Sequence, residues 1–396
     1  MEVGKNDKWS VIYHCYLAYF LSGMVILIFG VILPWLIEER GISFTAAGGM
    51  LSVMAIGNLM ASLIYPLLCT RITEKQATVL LSVIYPVCLF LFTLPVPTAA
   101  LYVMIFLIGV TKGMITIVNN HAIRKVTGSS NKYLNLLHMW YAVGAFLSPF
   151  ITSLLTSAGV EWKIILRLLA AACIMIVVSY GTMDFSRVEQ DEEKEEKKEK
   201  AGTERSFWYL RSASFLLVVG ILFSYMGLEN VVNGWFVTYL KSTGLMSMEL
   251  STIMVSVTWV MIMVGRIVIA GVSQKVAPER ILAVITTVQF ISILLLVRAT
   301  TTGMVVASLM LLGLGMAGTF PSATAFTGDI LGSSPVGMSV LTGIGSLGGI
   351  LTPQIIGILV DHFGFNAAIL FLVIDGLLLV ICGILTIPAN NRRKIK

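Results

Sequence analysis

Charged residues are scarce in this chain. They make up 12% of its 396 residues, about half of the roughly 25% usual in soluble domains. Apolar types supply 57% and the mean hydropathy is +0.90, which excludes an ordinary water-soluble fold. The apolar residues run in solid blocks rather than alternating, which excludes a β-barrel. Cysteine is sparse too. Cys15, Cys69, Cys88, Cys173 and Cys382 are scattered with no C-x-x-C pair, so neither disulfides nor a metal site is expected. A GxxxxGK[ST] loop and a soluble nucleotide domain are both missing, against an ATP-driven pump. No metal cluster or Ser/His/Asp set stands out, against an enzyme, and no cofactor is expected. The formal net charge of +6 does not imply nucleic acid, because the basic residues sit in connections, where they set membrane orientation.

What is present is a series of apolar stretches, each near the 20 residues needed to cross a bilayer. About twelve are expected: Ile12–Leu36, Ala47–Leu68, Ala77–Leu94, Ala99–Asn120, Leu134–Ser157, Ile164–Met183, Ser212–Leu240, Leu250–Val272, Leu282–Val297, Gly303–Phe326, Gly337–Val360 and Ala367–Ile387. The first is too long for the apolar core of a cleavable leader. Lys and Arg concentrate in the connections that would face inward with the amino terminus inside. No N-x-[ST] site occurs and the loops are short, which suits a bacterial inner membrane with both termini cytoplasmic.

The chain divides into residues 1–183, a linker at 184–208 and residues 209–396. The linker carries EQDEEKEEKKEK, a tract too charged and too poor in apolar residues to build a core. The flanking halves are repeats. One offset of about 204 positions places Gly23 and Gly30 on Gly227 and Gly234, Gly109 on Gly313, and GAFLSP at Gly144–Pro149 on GGILTP at Gly348–Pro353. Two parallel six-helix halves are a transporter plan. In it the first helix of each three-helix unit faces a central cavity, here spans 1, 4, 7 and 10. The fold expected is therefore an all-α membrane protein of two pseudo-symmetric six-helix halves.

Polar residues follow that plan. GLENVVNGWFVTYL at Gly227–Leu240 puts Glu229, Asn230 and Asn233 inside an apolar span, where a charge costs roughly 2.5–3.5 kcal/mol on insertion scales. Span 4 holds Lys112, Asn119 and Asn120, and span 10 holds Thr319. A sugar needs amides, which both donate and accept, and rings to stack on. Asn119, Asn120, His138, Trp140, Asn230, Asn233 and Trp235 supply that chemistry, although each asparagine could equally tie two helices together. Lys112 lies about 13 residues into its span, near mid-membrane at roughly 1.5 Å per residue, and Glu229 lies at a similar depth. Three roles stay open for them: a structural bridge, a proton or sodium site on Glu229 to which Lys112 responds, or a Lys112 seat for an anionic solute. Pro149 and Pro353 are expected to kink their helices at matching places.

Four stretches carry a family likeness: GVTKGMITIVN at Gly109–Asn119, LNLLHMWYAVGAFLSP at Leu134–Pro149, Glu229–Arg266, and GLGMAGTFP at Gly313–Pro321 with Gly343–Pro353. The chain resembles the major facilitator superfamily, in particular the fucose/galactose/glucose:proton symporter branch and the related sodium-dependent glucose transporters. The resemblance implies a monomeric secondary transporter in the lipid bilayer. It would move a small solute, a hexose or related sugar, by alternating access, coupled to a proton or sodium gradient. The alternative is an organic anion or an exported drug. Two features depart from the branch: no acid lies between Ile12 and Leu36, and span 4 carries Lys112, so the coupling chemistry cannot be transferred residue for residue. A tag- or protease-accessibility assay is expected to find both termini on the cytoplasmic side, and one terminus outside would refute the orientation.

Overall fold

The computed structural model describes residues 5–128, 130–186, 208–331 and 335–395. Most of the charged linker, residues 187–207, lies outside the described residues. All regular structure among the described residues is helical, and twelve helices are long and apolar enough to cross a membrane. They are span 1 (Lys8–Arg40), span 2 (Phe44–Cys69), span 3 (Glu74–Phe92), span 4 (Thr98–Thr127), span 5 (Lys132–Ser157), span 6 (Trp162–Thr182), span 7 (Ala213–Ser242), span 8 (Met248–Val272), span 9 (Pro278–Val297), span 10 (Thr302–Gly328), span 11 (Gly337–Phe363) and span 12 (Phe365–Asn391). Large apolar side chains such as Leu63, Leu67, Val103, Ile267 and Leu370 remain more than half exposed. Exposed apolar surface on this scale calls for lipid rather than water as its solvent.

Several helices outrun their apolar stretches. Span 1 continues to Arg40 and span 4 to Thr127, each stopping where a glycine adopts a left-handed conformation, Gly41 and Gly128 at φ 63°. Hydropathy marks where the lipid ends; the left-handed glycine marks where the helix ends. Spans 3 and 10 are interrupted, at Val83 and at Ala317–Gly318. Both breaks sit just before a proline, Pro86 and Pro321. Proline has no N–H to bond the carbonyl four residues back, so Ser82 and Ala317 lose their intrahelical donors.

The chain forms two compact units. The first comprises Met1–Leu36 and Val53–Ala201; the second comprises Ile37–Ser52 and Gly202–Lys396. The stretch from Ile37 to Ser52, which precedes most of the first half in sequence, thus belongs structurally to the second unit. In the first unit span 3 packs on spans 4 and 6. In the second, span 7 packs on spans 11 and 12, span 9 on spans 10 and 12, and span 8 on span 10.

Glycine explains much of this packing. Lipid tails are as apolar as leucine, so helices in a bilayer gain little by hiding apolar side chains and associate instead by close backbone contact. In the first unit a Cβ on Gly144 of span 5 would overlap the Phe20 carbonyl of span 1, and one on Gly23 would overlap the Tyr141 carbonyl. In the second unit a Cβ on Gly348 of span 11 would overlap the Phe223 carbonyl of span 7, and one on Gly227 would overlap Thr352 Oγ1. Spans 2 and 4 meet in the same way, with Gly109 against the Met54 carbonyl, as do spans 8 and 10, with Gly313 against the Thr258 carbonyl. The offset of 204 relates Met54 to Thr258 as it relates Gly109 to Gly313. One turn further along, the first unit sets Gly113 against Ala61, and the second sets Gly265 against Ala317. The contact is the same, but its glycine has moved to the opposite helix.

The polar residues of the outer helices have local partners. Arg167 Nε on span 6 donates to Thr93 Oγ1 at 3.0 Å, so Arg167 has a partner in its own unit. Gln289 of span 9 donates to Thr319 Oγ1 at 3.0 Å. Asp375 of span 12 is 8% exposed and lies beside Ser224 of span 7.

Overpacking a close crossing costs typically 1–3 kcal/mol. Gly144→Val and Gly348→Val are therefore each expected to lower the thermal unfolding temperature of the detergent-purified protein by several degrees. Gly343→Ala, which meets no atom within 4 Å, should leave it unchanged.

Candidate substrate and ion site

Each unit holds its own polar cluster. In the first, Lys112, Thr116 and Asn120 follow one another at intervals of four on span 4, which aligns them on one helix face. All three are half-buried. The Thr116 hydroxyl donates to the Lys112 carbonyl at 3.0 Å, and Asn120 Nδ2 donates to the Thr116 carbonyl at 2.8 Å. Tyr19 of span 1, 4% exposed, lies with its hydroxyl toward the Thr116 and Asn120 side chains of this face. The other side of the Tyr19 ring meets span 5. His138 stands edge-on to it with ring centres 5.4 Å apart, and Tyr141 lies 5.5 Å away. Trp140, 41% exposed, contacts the rings of Tyr16 and Phe20. The first unit therefore assembles an amide, two hydroxyls, an imidazole and several aromatic faces around Tyr19.

In the second unit Tyr225 lies beside the Glu229 carboxylate one turn away on span 7, and the Arg266 guanidinium of span 8 is within electrostatic reach of its hydroxyl. An acid, a phenol and a cation thus share one neighbourhood. Asn230 Nδ2 donates to the Met226 carbonyl at 2.9 Å and packs against Gly349. Asn233 Oδ1 accepts from the indole N–H of Trp259 at 3.1 Å.

Three residues expected to contact a solute are occupied elsewhere. Asn119 is fully buried, its Nδ2 donating to the Cys15 carbonyl at 3.1 Å and its Oδ1 accepting from Tyr180 at 2.8 Å. It ties spans 1, 4 and 6 together. Thr319 is also fully buried and joins Gln289 to the Gly315 carbonyl. Trp235, 1% exposed, donates its indole N–H to the Pro353 carbonyl at 3.1 Å. The physical reason is common to all three. A polar group on a closely packed face in lipid must find its partner inside the protein, and here the nearest partners are neighbouring helices. Tyr19, Thr116, Tyr141 and Tyr225 were not among the expected site residues. The spacing of four from Lys112 through Thr116 to Asn120 was a readable signal for Thr116. The tyrosines gave none, because an aromatic residue in an apolar span looks like any other core residue.

The family profile described as Major Facilitator Superfamily matches residues 15–332. The chain belongs to that superfamily. As a member it is an integral, multi-pass transporter and not an enzyme. Solved structures of the superfamily share the fold. The crystal structure of nucleoside transporter NupG is 17% identical, covers 97% of this chain and 99% of that one, and superposes with a TM-score of 0.70. A D323A mutant of the same transporter is 14% identical, covering 96% and 99%, with a TM-score of 0.74. A bacterial homologue of the human lysosomal transporter Spinster, in an inward-facing and occupied conformation, is 13% identical over 98% of both chains, with a TM-score of 0.76. At such identities the likeness is one of fold. No curated protein sequence matches the chain.

Tyr180→Phe removes the donor to a buried amide oxygen, a change that costs about 1–3 kcal/mol. The variant is expected to unfold at a lower temperature than the parent, as read by a thermal shift of the purified protein.

Proposed function

We propose that this transporter moves a small polyhydroxylated solute, a hexose or related sugar, by alternating access, driven by a proton or sodium gradient. The observation that carries the reading is the first-unit cluster around Tyr19. Hydroxyls of a sugar both donate and accept, and Asn120, Thr116 and His138 do the same; sugar ring faces are apolar, and Tyr141 and Trp140 offer aromatic surface. The resemblance of spans 4, 5, 7, 8, 10 and 11 to sugar symporters supports the same class. Glu229 is the coupling residue. A proton or a cation on its carboxylate would alter its interaction with the neighbouring Tyr225 and the pull on Arg266, so that occupancy of the acid is felt on spans 7 and 8 together. An organic anion or a drug is the second reading, favoured by the half-buried ammonium of Lys112 in place of the acid that the symporter branch carries on this helix. Fold does not decide between these solutes.

Uptake of a labelled hexose panel, with a nucleoside and an organic anion alongside, into proteoliposomes under an imposed proton or sodium gradient tests the reading. Gradient-stimulated hexose uptake is expected. Glu229→Gln should abolish the stimulation while sparing solute exchange at equal concentrations. Asn120→Ala should raise the apparent KM about 2- to 10-fold, the size of one or two neutral hydrogen bonds. Uptake of the anion alone would move the solute to Lys112 and overturn the sugar assignment.

A further inference from the structure

Spans 1 and 5 begin side by side, and their first turns carry an aromatic surface set with cations. Trp9 and Tyr13 straddle Ile12, where the apolar stretch of span 1 starts. Their rings stand 6.0 Å apart and remain 42% and 65% exposed. Tyr133, in the first turn of span 5, completes the group. Its ring is edge-on to Trp9 at 5.9 Å, and Lys8 Nζ lies over it, 5.1 Å from the centre. The Tyr16 hydroxyl donates to the Tyr133 carbonyl at 3.1 Å, which holds the start of span 5 against span 1. Lys132, next to Tyr133, is exposed. The connection leading into it from span 4 adds Arg124 and Lys125. From Lys75 to Val160 the chain has no Asp or Glu, so no acid on span 4, on span 5 or between them offsets these cations. Trp and Tyr rings at the start of an apolar stretch stand at headgroup depth, where one end of the ring is apolar and the other wet.

We propose that Lys8, Lys132 and the rings of Trp9, Tyr13 and Tyr133 form a seat for an anionic phospholipid, its phosphate met by the two ammonium groups and its glycerol and upper acyl chains lying on the rings. The cations choose this occupant. Rings alone suit any phospholipid, and would only anchor the span ends at the interface. A zwitterionic headgroup brings its own ammonium, which Lys8 and Lys132 repel, whereas phosphatidylglycerol brings the phosphate without it. Lysines close to an anionic lipid surface each favour it by about fivefold. The seat also joins two helices. Tyr133 takes the Lys8 ammonium on its face and Trp9 at its edge, so a lipid lying there touches spans 1 and 5 together. These are the spans whose crossing at Gly23 and Gly144 brings His138 and Tyr141 to Tyr19. The proposal does not depend on which solute is carried.

Fluorescence of Trp9 reads the seat without any solute. The chain has seven tryptophans, and the Trp9 share of the emission is the difference between the parent and Trp9→Phe, which keeps a ring in place. The protein is reconstituted into vesicles of phosphatidylcholine with a minor fraction of phosphatidylglycerol, one or the other carrying bromine high on its acyl chains as a contact quencher. The Trp9 share is expected to be quenched by brominated phosphatidylglycerol with about five- to twentyfold preference over brominated phosphatidylcholine. Raised salt should shrink that preference. Lys8→Gln with Lys132→Gln should abolish it, and Lys8→Arg with Lys132→Arg should keep it. Equal quenching by the two lipids in the parent would leave plain interfacial anchoring and overturn the seat. Quenching by aqueous iodide but by neither lipid would overturn it as well, since the rings would then face water. A preference that survives the loss of both lysines would do the same. Failure of hexose uptake would leave these results untouched.

Discussion

Backbone must touch backbone in this protein, because nothing else in a bilayer holds helices together as closely. In water, two apolar helix faces are driven together by the solvent they shed. In lipid that drive is nearly absent, and what remains is dispersion and the fit of one helix surface into another. Removing the side chain at a crossing lets the carbonyl of the next helix occupy its place. The crossings of spans 1 and 5, 2 and 4, 7 and 11, and 8 and 10 all depend on this. The polar clusters depend on it in turn: Tyr19 reaches both span 4 and span 5 because Gly23 and Gly144 draw spans 1 and 5 into contact.

The same medium explains how the polar residues divide. Every polar side chain in a span must be satisfied within the protein or line a wet pathway. Asn119, Thr319 and Trp235 take the first course. Each is buried and bonded to a neighbouring helix. Lys112, Thr116, Asn120, Glu229 and Asn230 are only half-buried and keep accessible surface. Residue type does not separate the two groups, since adjacent asparagines at 119 and 120 fall on opposite sides of the division. A helix turns about 100° from one residue to the next, and that rotation is what separates them.

This accounts for what could be read from sequence. Twelve spans, two repeats and the superfamily are visible because solid apolar runs and a constant glycine offset survive in the linear chain. The outer limits of spans 1 and 4 were less visible, because hydropathy reports the lipid and not the helix. The interruptions before Pro86 and Pro321 were written in the sequence as prolines within apolar runs. The candidate polar clusters were half legible. Lys112, Asn120 and Glu229 announce themselves as polar groups in apolar spans. Tyr19 does not, because its neighbours on span 4 come to it only when helices distant in sequence meet, and Tyr225, although one turn from Glu229, looks like any other core aromatic. The allegiance of Ile37–Ser52 to the second unit was hidden, as with Tyr19, by distance along the chain: Asp361 lies more than three hundred positions from the Phe44 and Thr45 amides it binds.

The exchanged glycine at the Gly113–Ala61 and Ala317–Gly265 crossings bears on how the two halves diverged. In each unit one partner is glycine and the other alanine, with the roles reversed. What is preserved is the combined bulk at the contact. Two alanines would collide there, whereas two glycines would leave only a small void. The passage from one arrangement to the other could therefore run through a loosely packed intermediate with glycine on both helices and hardly through a crowded one. Volume at the contact limits which substitutions either half accepts, and a position in one half that carries alanine can reject it at the matching place in the other.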